Sequence, residues 1–198
     1  MMTVAALLPA GPLGLPPAGD AQAEVWRVLE AVTDPEIPVV NLREMGILRR
    51  VRREGGEGGE LVIDITPTYS GCPAMRQMTL DIEEALAPRY GTVRVQTNLS
   101  PAWSTDWITP EAREKLRAWG IAPPVSKVGA GACGGGTSSL ATSQALQFAL
   151  RATTPDPVPC PRCGSTDTMA VAQFGSTACK ALYRCLSCHE PFDYFKPY

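Results

Sequence analysis

The chain has 198 residues, 44% of them hydrophobic, and a formal net charge of −2. That length suits one medium domain plus one small one, and the charge excludes a general electrostatic grip on nucleic acid. No apolar run reaches the length of a membrane span, so neither a nucleic-acid nor a membrane partner is expected.

Residues 1–19 are rich in Pro, Gly and Ala and read as a disordered tail. They hold no Lys or Arg and are broken by Pro9, Pro12, Pro16 and Pro17, which is not the pattern of a secretory signal. Seven cysteines without an export signal imply reduced thiols and a cytoplasmic location. Order is expected from Asp20, a helix N-cap type, because Val25, Val28, Leu29 and Val32 recur at helical spacing. Asp34-Pro35 should stop that helix, since proline cannot continue the hydrogen-bond ladder.

Strands are predicted over 45–51 and 61–66, flanking the glycine-rich hairpin tip at 53–60. Leu61, Ile63 and Ile65 fall on one face by alternation. A helix follows over 73–86 with Met75, Met78, Ile82 and Leu86 as its buried stripe, then a strand over 92–97. Strand–helix–strand predicts a parallel crossover. Thr109, Pro110 and Gly120 bracket a last helix as N-cap, first-turn proline and C-terminal glycine. The fold class is therefore α+β, with a compact domain over 20–120.

Residues 121–158 carry a Gly/Ala-rich run around Cys133 and a Pro-rich stretch at 153–157, and read as a flexible linker with one short helix near 140–150. Cys133 reads as an ordinary exposed thiol. The linker's length would let the last segment move relative to the first domain.

That last segment holds Cys160-Pro-Arg-Cys163-Gly164 and Cys185-Leu-Ser-Cys188. Each pair sets two thiolates on one tight turn, and two such turns facing each other place four sulfurs in a tetrahedron. Gly164 suits the turn, where a side chain would resist the backbone conformation. With strands at 168–174, 180–184 and 192–195, residues 159–198 read as an all-β zinc ribbon, its zinc structural. Tetrahedral sulfur also suits iron, but zinc is the default. Cys185-Leu-Ser-Cys188-His189 matches the haem-attachment pattern too, yet that would need export and leave Cys160 and Cys163 without a role. His189 then reads as a turn residue or a hydrogen-bond donor behind the sulfurs.

Thr66-Pro-Thr-Tyr-Ser-Gly-Cys72-Pro73 joins a strand end to a helix start, with Cys72 at the expected N-cap. There the helix dipole favours a thiolate, so Cys72 reads as a reactive or metal-binding cysteine, or else as a buried cysteine packed on the sheet. Thr66, Thr68 and Ser70 add hydroxyls. Asp34 either offers a carboxylate oxygen to a metal near Cys72 or satisfies backbone N–H groups in a turn, the reading its sequence favours. No Ser-His-Asp set, Glu-x-x-His pair, phosphate loop or dinucleotide fingerprint is present, so no independent catalytic set is assigned.

Asp34-Pro-Glu-Ile-Pro38, Met45-Gly-Ile-Leu48 and Thr66-Pro-Thr-Tyr-Ser-Gly-Cys-Pro73 resemble the domain-of-unknown-function 59 (MIP18) family, whose members are linked to iron–sulfur cluster assembly and delivery. Ser100-Pro-Ala-Trp103-Ser-Thr-Asp-Trp107, the stretch from Phe174 to Cys185 and Glu190-Pro-Phe-Asp193 narrow the resemblance to the D subunits of bacterial phenylacetyl-CoA ring-1,2-epoxidase systems. It covers 20–120 and 159–198.

The resemblance implies an accessory or maturation component of a multicomponent oxygenase in aerobic phenylacetate catabolism. Its partners would be the hydroxylase, the reductase or both, and its cargo iron or an iron–sulfur cluster held transiently. It makes Cys72 the motif cysteine and Asp34 the motif acid, with Thr66 and Thr68 completing the working site. The alternative is a non-catalytic docking subunit with Cys72 as core. A thiol oxidoreductase would need a resolving cysteine, and none is adjacent to Cys72 in sequence. Cys179 reads first as a strand residue, second as an alternate ligand.

Overall fold

A computed structural model describes residues 20–56, 58–125 and 157–198. Helix α1 spans Asp20–Leu29 and buries Val25, Trp26 and Leu29. It ends before Asp34-Pro35 is reached, because Ala31 N and Val32 N donate to Val28 O and Leu29 O in tight three-residue turns. Val32 is therefore buried from the turn beyond the helix, not from its stripe.

Strands β1 (Leu48–Glu54) and β2 (Glu60–Ile65) form the expected antiparallel hairpin. β1 starts later than residue 45 because the chain turns first at Gly46, whose φ of 68° lies in the left-handed region. The N–H groups of Ile47 and Leu48 both go back to Leu42 O. Helix α2 (Met75–Tyr90) then returns the chain so that β3 (Val93–Thr97) pairs parallel to β2. β2 is central, and Leu61 to Ile65 are all buried. Leu61, Ile63 and Ile65 join the apolar core, while Asp64 accepts from Arg52 at 2.6 Å on the sheet's charged side.

α2 differs from the helix expected over 73–86. It begins after Cys72 and Pro73, has Ala74 as a cap without a side-chain hydrogen bond, and runs on to Tyr90. Pro73 and Ala74 instead form a turn, so Cys72 is not the N-cap. Helix α3 (Pro110–Trp119) behaves as its sequence suggests: Ala112 N donates to Thr109 Oγ1, and Gly120 ends it in the left-handed conformation.

The second sheet has the order β4-β7-β6-β5, from β4 (Ile121–Ala122), β5 (Thr168–Ala172), β6 (Lys180–Cys185) and β7 (Pro191–Phe195). The linker expected to start at 121 thus begins with two residues that pair parallel to Asp193 and Tyr194, and Val158 is buried in the ribbon's own core. The tail over 1–19, the short helix near 140–150 and Cys133 lie outside the described residues.

In the structure the ribbon packs against the first domain. Cys179 and Phe195 belong to the apolar core of the first domain, beside Trp103 and Met45. Thr105 N also donates to Tyr198 O at 3.5 Å. The physical reason is apolar burial: the end of β7 presents Phe195 to the core to which Trp103 and Met45 belong.

Candidate functional site

The ribbon's two turns bring Cys160, Cys163, Cys185 and Cys188 together, with all four sulfurs within 4.8 Å of one another. Cys160 Sγ lies 3.8 Å from Cys188 Sγ, and Cys163 Sγ lies 3.6 Å from Cys185 Sγ. A tetrahedral metal with bonds of about 2.3 Å to sulfur requires edges of about 3.8 Å, so the donors fit a zinc ion. Gly164 takes a φ of 74°, and His189 takes 64° at the equivalent place in the second turn, which makes it a turn residue. The Cys188 N–H donates to Cys185 Sγ and is the largest cause that brings the Cys185 thiol down to about 6.

Cys72 sits in the loop between β2 and α2 and is half-buried. Its N–H donates to Tyr69 O, and its own carbonyl accepts from Met75 N. Burial pushes its thiol above the ordinary 9.0, with the Ala74 N–H working against that and the charges of Glu36, Asp34 and Cys179 adding to it. The thiolate favoured by a cap position is therefore not what the fold provides, because burial outweighs the Ala74 N–H at the helix start.

Asp34 is buried, and its Oδ1 accepts from Glu36 N at 2.7 Å and Ile37 N at 3.0 Å. This is the turn arrangement that the sequence favours. Desolvation raises the carboxyl above 3.8, opposed by those two N–H groups and by the Lys180 charge. Asp34 still lies close enough to act on the Cys72 sulfur, so these two expected residues do share one end of the domain.

Thr66 and Thr68 are buried at the end of β2, where they line a cleft of about 390 Å³ with Tyr69, Trp103 and Tyr198. Cys72 is not among the residues that line it. Tyr69 links the two places: it lines the cleft, and burial followed by the Cys72 and Cys179 charges pushes its phenol up.

Three residues that the sequence leaves unassigned or ordinary lie near Cys72 or Asp34. Glu36 is raised by burial and by Asp34, and lowered by Lys180. Cys179 is buried and hydrogen-bonded to Thr177 Oγ1 at 3.0 Å. Lys180 is buried, with Nζ 3.5 Å from Asp193 Oδ2. The adjacent pair Cys179-Lys180 is the available signal: a thiol and a cation at a strand start, for which a ribbon alone has no use.

Comparison with known proteins fits this two-part layout. Residues 22–97 match the iron-sulfur cluster assembly protein family, and residues 147–196 match the PaaD zinc beta ribbon domain. An Escherichia coli K12 protein that carries the name "Putative 1,2-phenylacetyl-CoA epoxidase", as its D subunit, is 45% identical over 174 residues, covering 87% of this chain and 91% of its own. The chain belongs to this family of epoxidase D subunits. The first domain of this chain also resembles a Porphyromonas gingivalis Fe-S protein maturation auxiliary factor, 29% identical over 97 residues, which covers 48% of this chain and 90% of that one. A solved DUF59 domain from Bacillus anthracis is 28% identical, covering 48% of this chain and 89% of its own, with a TM-score of 0.43. Among the described residues, no helix is long and apolar enough to cross a membrane.

Proposed function

We propose that the chain is an accessory component of a phenylacetyl-CoA epoxidase system and assists assembly of an iron or iron–sulfur centre in the oxygenase or its reductase. Membership of the D-subunit family and the match of residues 22–97 to cluster-assembly proteins support this reading. The observation that carries it is Cys72, a half-exposed thiol on a loop, with the Asp34 carboxylate acting on it from the end of the same domain.

Sulfur and carboxylate oxygen together suit iron(II) as cargo. A loop thiol that solvent reaches can pass a metal on, whereas the closed four-sulfur cage of the ribbon retains its ion. The ribbon carries structural zinc and fastens its sheet to the first domain. Reduced thiols of this kind belong in the cytoplasm, with the hydroxylase or the reductase as partner. Thr66 and Thr68 contribute hydroxyls in the adjoining cleft. The test replaces Cys72 by Ala in cells that make the whole epoxidase system, then measures iron per component. Components short of iron, with zinc in this chain unchanged, are expected. Fully metallated, active components would overturn the reading.

A docking component is the second reading, favoured by the engagement of Asp34 Oδ1 in its turn and by the packing of Cys72 against the core. It predicts a stable stoichiometric complex whose metal content ignores Cys72→Ala.

A further inference from the structure

We propose that β5 of the ribbon is a pairing edge, along which two copies of this chain join antiparallel so that their second sheets become one continuous sheet.

β5 ends the strand order β4-β7-β6-β5 and bonds to β6 on one side; among the described residues no strand meets its other edge. That edge presents a row of backbone N–H and C=O groups able to template another strand. Charged side chains or proline commonly blunt such an edge. Residues 168–174 read Thr-Met-Ala-Val-Ala-Gln-Phe and hold neither. The register shift between Ala170 and Ala172 bends the strand without adding charge, so a second strand pairs over a short run and the association is weak.

The side chains of this edge are apolar and open to solvent. Met169 is 49% exposed, Val171 54% and Phe174 62%. Leu186 extends the patch, because its N–H donates to Asp167 O at 2.8 Å, just before β5. Ala170, Ala172 and Tyr183 line a hollow of about 370 Å³ beside the strand, which gives a side chain of an added strand a place to pack.

Charge selects a second copy as the occupant. Asp167 stands exposed at the start of the strand. At its far end Lys196 Nζ donates to Gln173 O at 3.3 Å and lies 4.4 Å from the centre of the Phe174 ring. Among the described residues neither Asp167 nor Lys196 forms a salt bridge. Asp167 and Gln173 are equally far in sequence from Ala170. A two-fold axis at Ala170 therefore sets Asp167 of each copy opposite Gln173 of the other, where the Lys196 ammonium is held. Two unlike-charge pairs close the ends, and the uncharged run between them sets no like charges face to face. Parallel pairing in register would instead place Asp167 against Asp167.

The test is sedimentation equilibrium of the full-length, zinc-loaded chain from low micromolar to several hundred micromolar. Mass should rise reversibly from 21.2 kDa to twice that value. The dissociation constant should be about 10–100 μM, as suits a small interface. Val171→Lys puts a charge on the edge and should weaken the dimer at least about tenfold. Asp167→Lys and Lys196→Asp each create two like-charge pairs and should each weaken it about tenfold. An equal mixture of those two variants should regain most of the wild-type affinity, because every lysine then faces an aspartate. Retained zinc and an unchanged thermal transition establish that the variants fold. A chain that stays monomeric throughout would overturn the proposal. So would a dimer that ignores Val171→Lys, or a mixture no tighter than its two components. A monomer that binds the hydroxylase or the reductase, and loses it on Val171→Lys, would overturn self-pairing and give β5 to that subunit. A monomer whose β5 amides resist hydrogen exchange would give the edge to another segment of the same chain and overturn it equally.

Discussion

The ring centroids of Trp103 and Phe195 lie 5.9 Å apart with planes inclined at 55°, so a residue of the first domain and a residue of the ribbon form a tilted aromatic pair. Trp103 is further fixed by its Nε1–H, which donates to Met45 O at 2.9 Å, and by Tyr198, whose ring stands edge-on at 6.3 Å. The contact converts two domains into one packed unit around the loop that carries Cys72.

Truncating this pair should therefore loosen both units. Trp103→Ala removes a buried ring and strands the Met45 carbonyl, a loss of about 3–5 kcal/mol. Urea unfolding monitored by circular dichroism should show a lower midpoint, with zinc still bound at equal stoichiometry. A midpoint within error of wild type would show that the aromatic pair does not hold the ribbon down.

Gly46 tests the turn behind Trp103. At its φ of 68° a side chain is strained, and a Cβ there would lie 2.5 Å from Trp107 Cβ. Gly46→Ala should cost about 2–5 kcal/mol, the sum of left-handed strain and overpacking. The same urea experiment reads it, and Gly56→Ala, where a Cβ meets nothing within 4 Å, is the control for backbone conformation alone.

Local residues reveal some of this fold and hide the rest. The four ribbon cysteines are legible because each pair is a local turn whose geometry depends on neighbouring residues. The capping of α3 by Thr109 is legible for the same reason. The burial of Cys179 in the first domain's core is not, because it depends on residues distant in sequence that meet where Phe195 packs beside Trp103. The start of α2 is ambiguous in sequence because Pro73 suits a first helical turn and a preceding turn equally well. β4 is invisible there because two residues carry no periodicity.

Removing the ribbon's metal should be felt beyond the ribbon. A strong chelator leaves four thiols around one point, and the small core of Val158, Ala181, Phe192 and Tyr194 is not sufficient to hold them. Phe195 and Cys179 would then leave the first domain's core as well. Far-ultraviolet circular dichroism should report loss of strand signal, and the unfolding midpoint of α1 to α3 should drop, both restored by one equivalent of zinc. An unchanged midpoint would show that the first domain does not depend on the docked sheet.

The charge around Cys72 makes a directional prediction about its reactivity. Burial, Glu36, Asp34 and Cys179 hold the thiol above 9.0, so the folded protein binds that proton more tightly than the unfolded chain does. Two consequences share one sign. Stability contributed by this group is intact below pH 9 and declines as the pH rises from 9 toward the folded value. Alkylation of Cys72 by iodoacetamide at about pH 8 should likewise be slower than that of a free cysteine, because less thiolate is present. Glu36→Gln deletes one of the negative charges and should speed alkylation about two- to threefold, with its pH profile moved to lower pH. Mass spectrometry of the modified peptide separates Cys72 from Cys179, which is more deeply buried and should react later. A rate that ignores Glu36→Gln would mean that solvent screens the carboxylate from the sulfur.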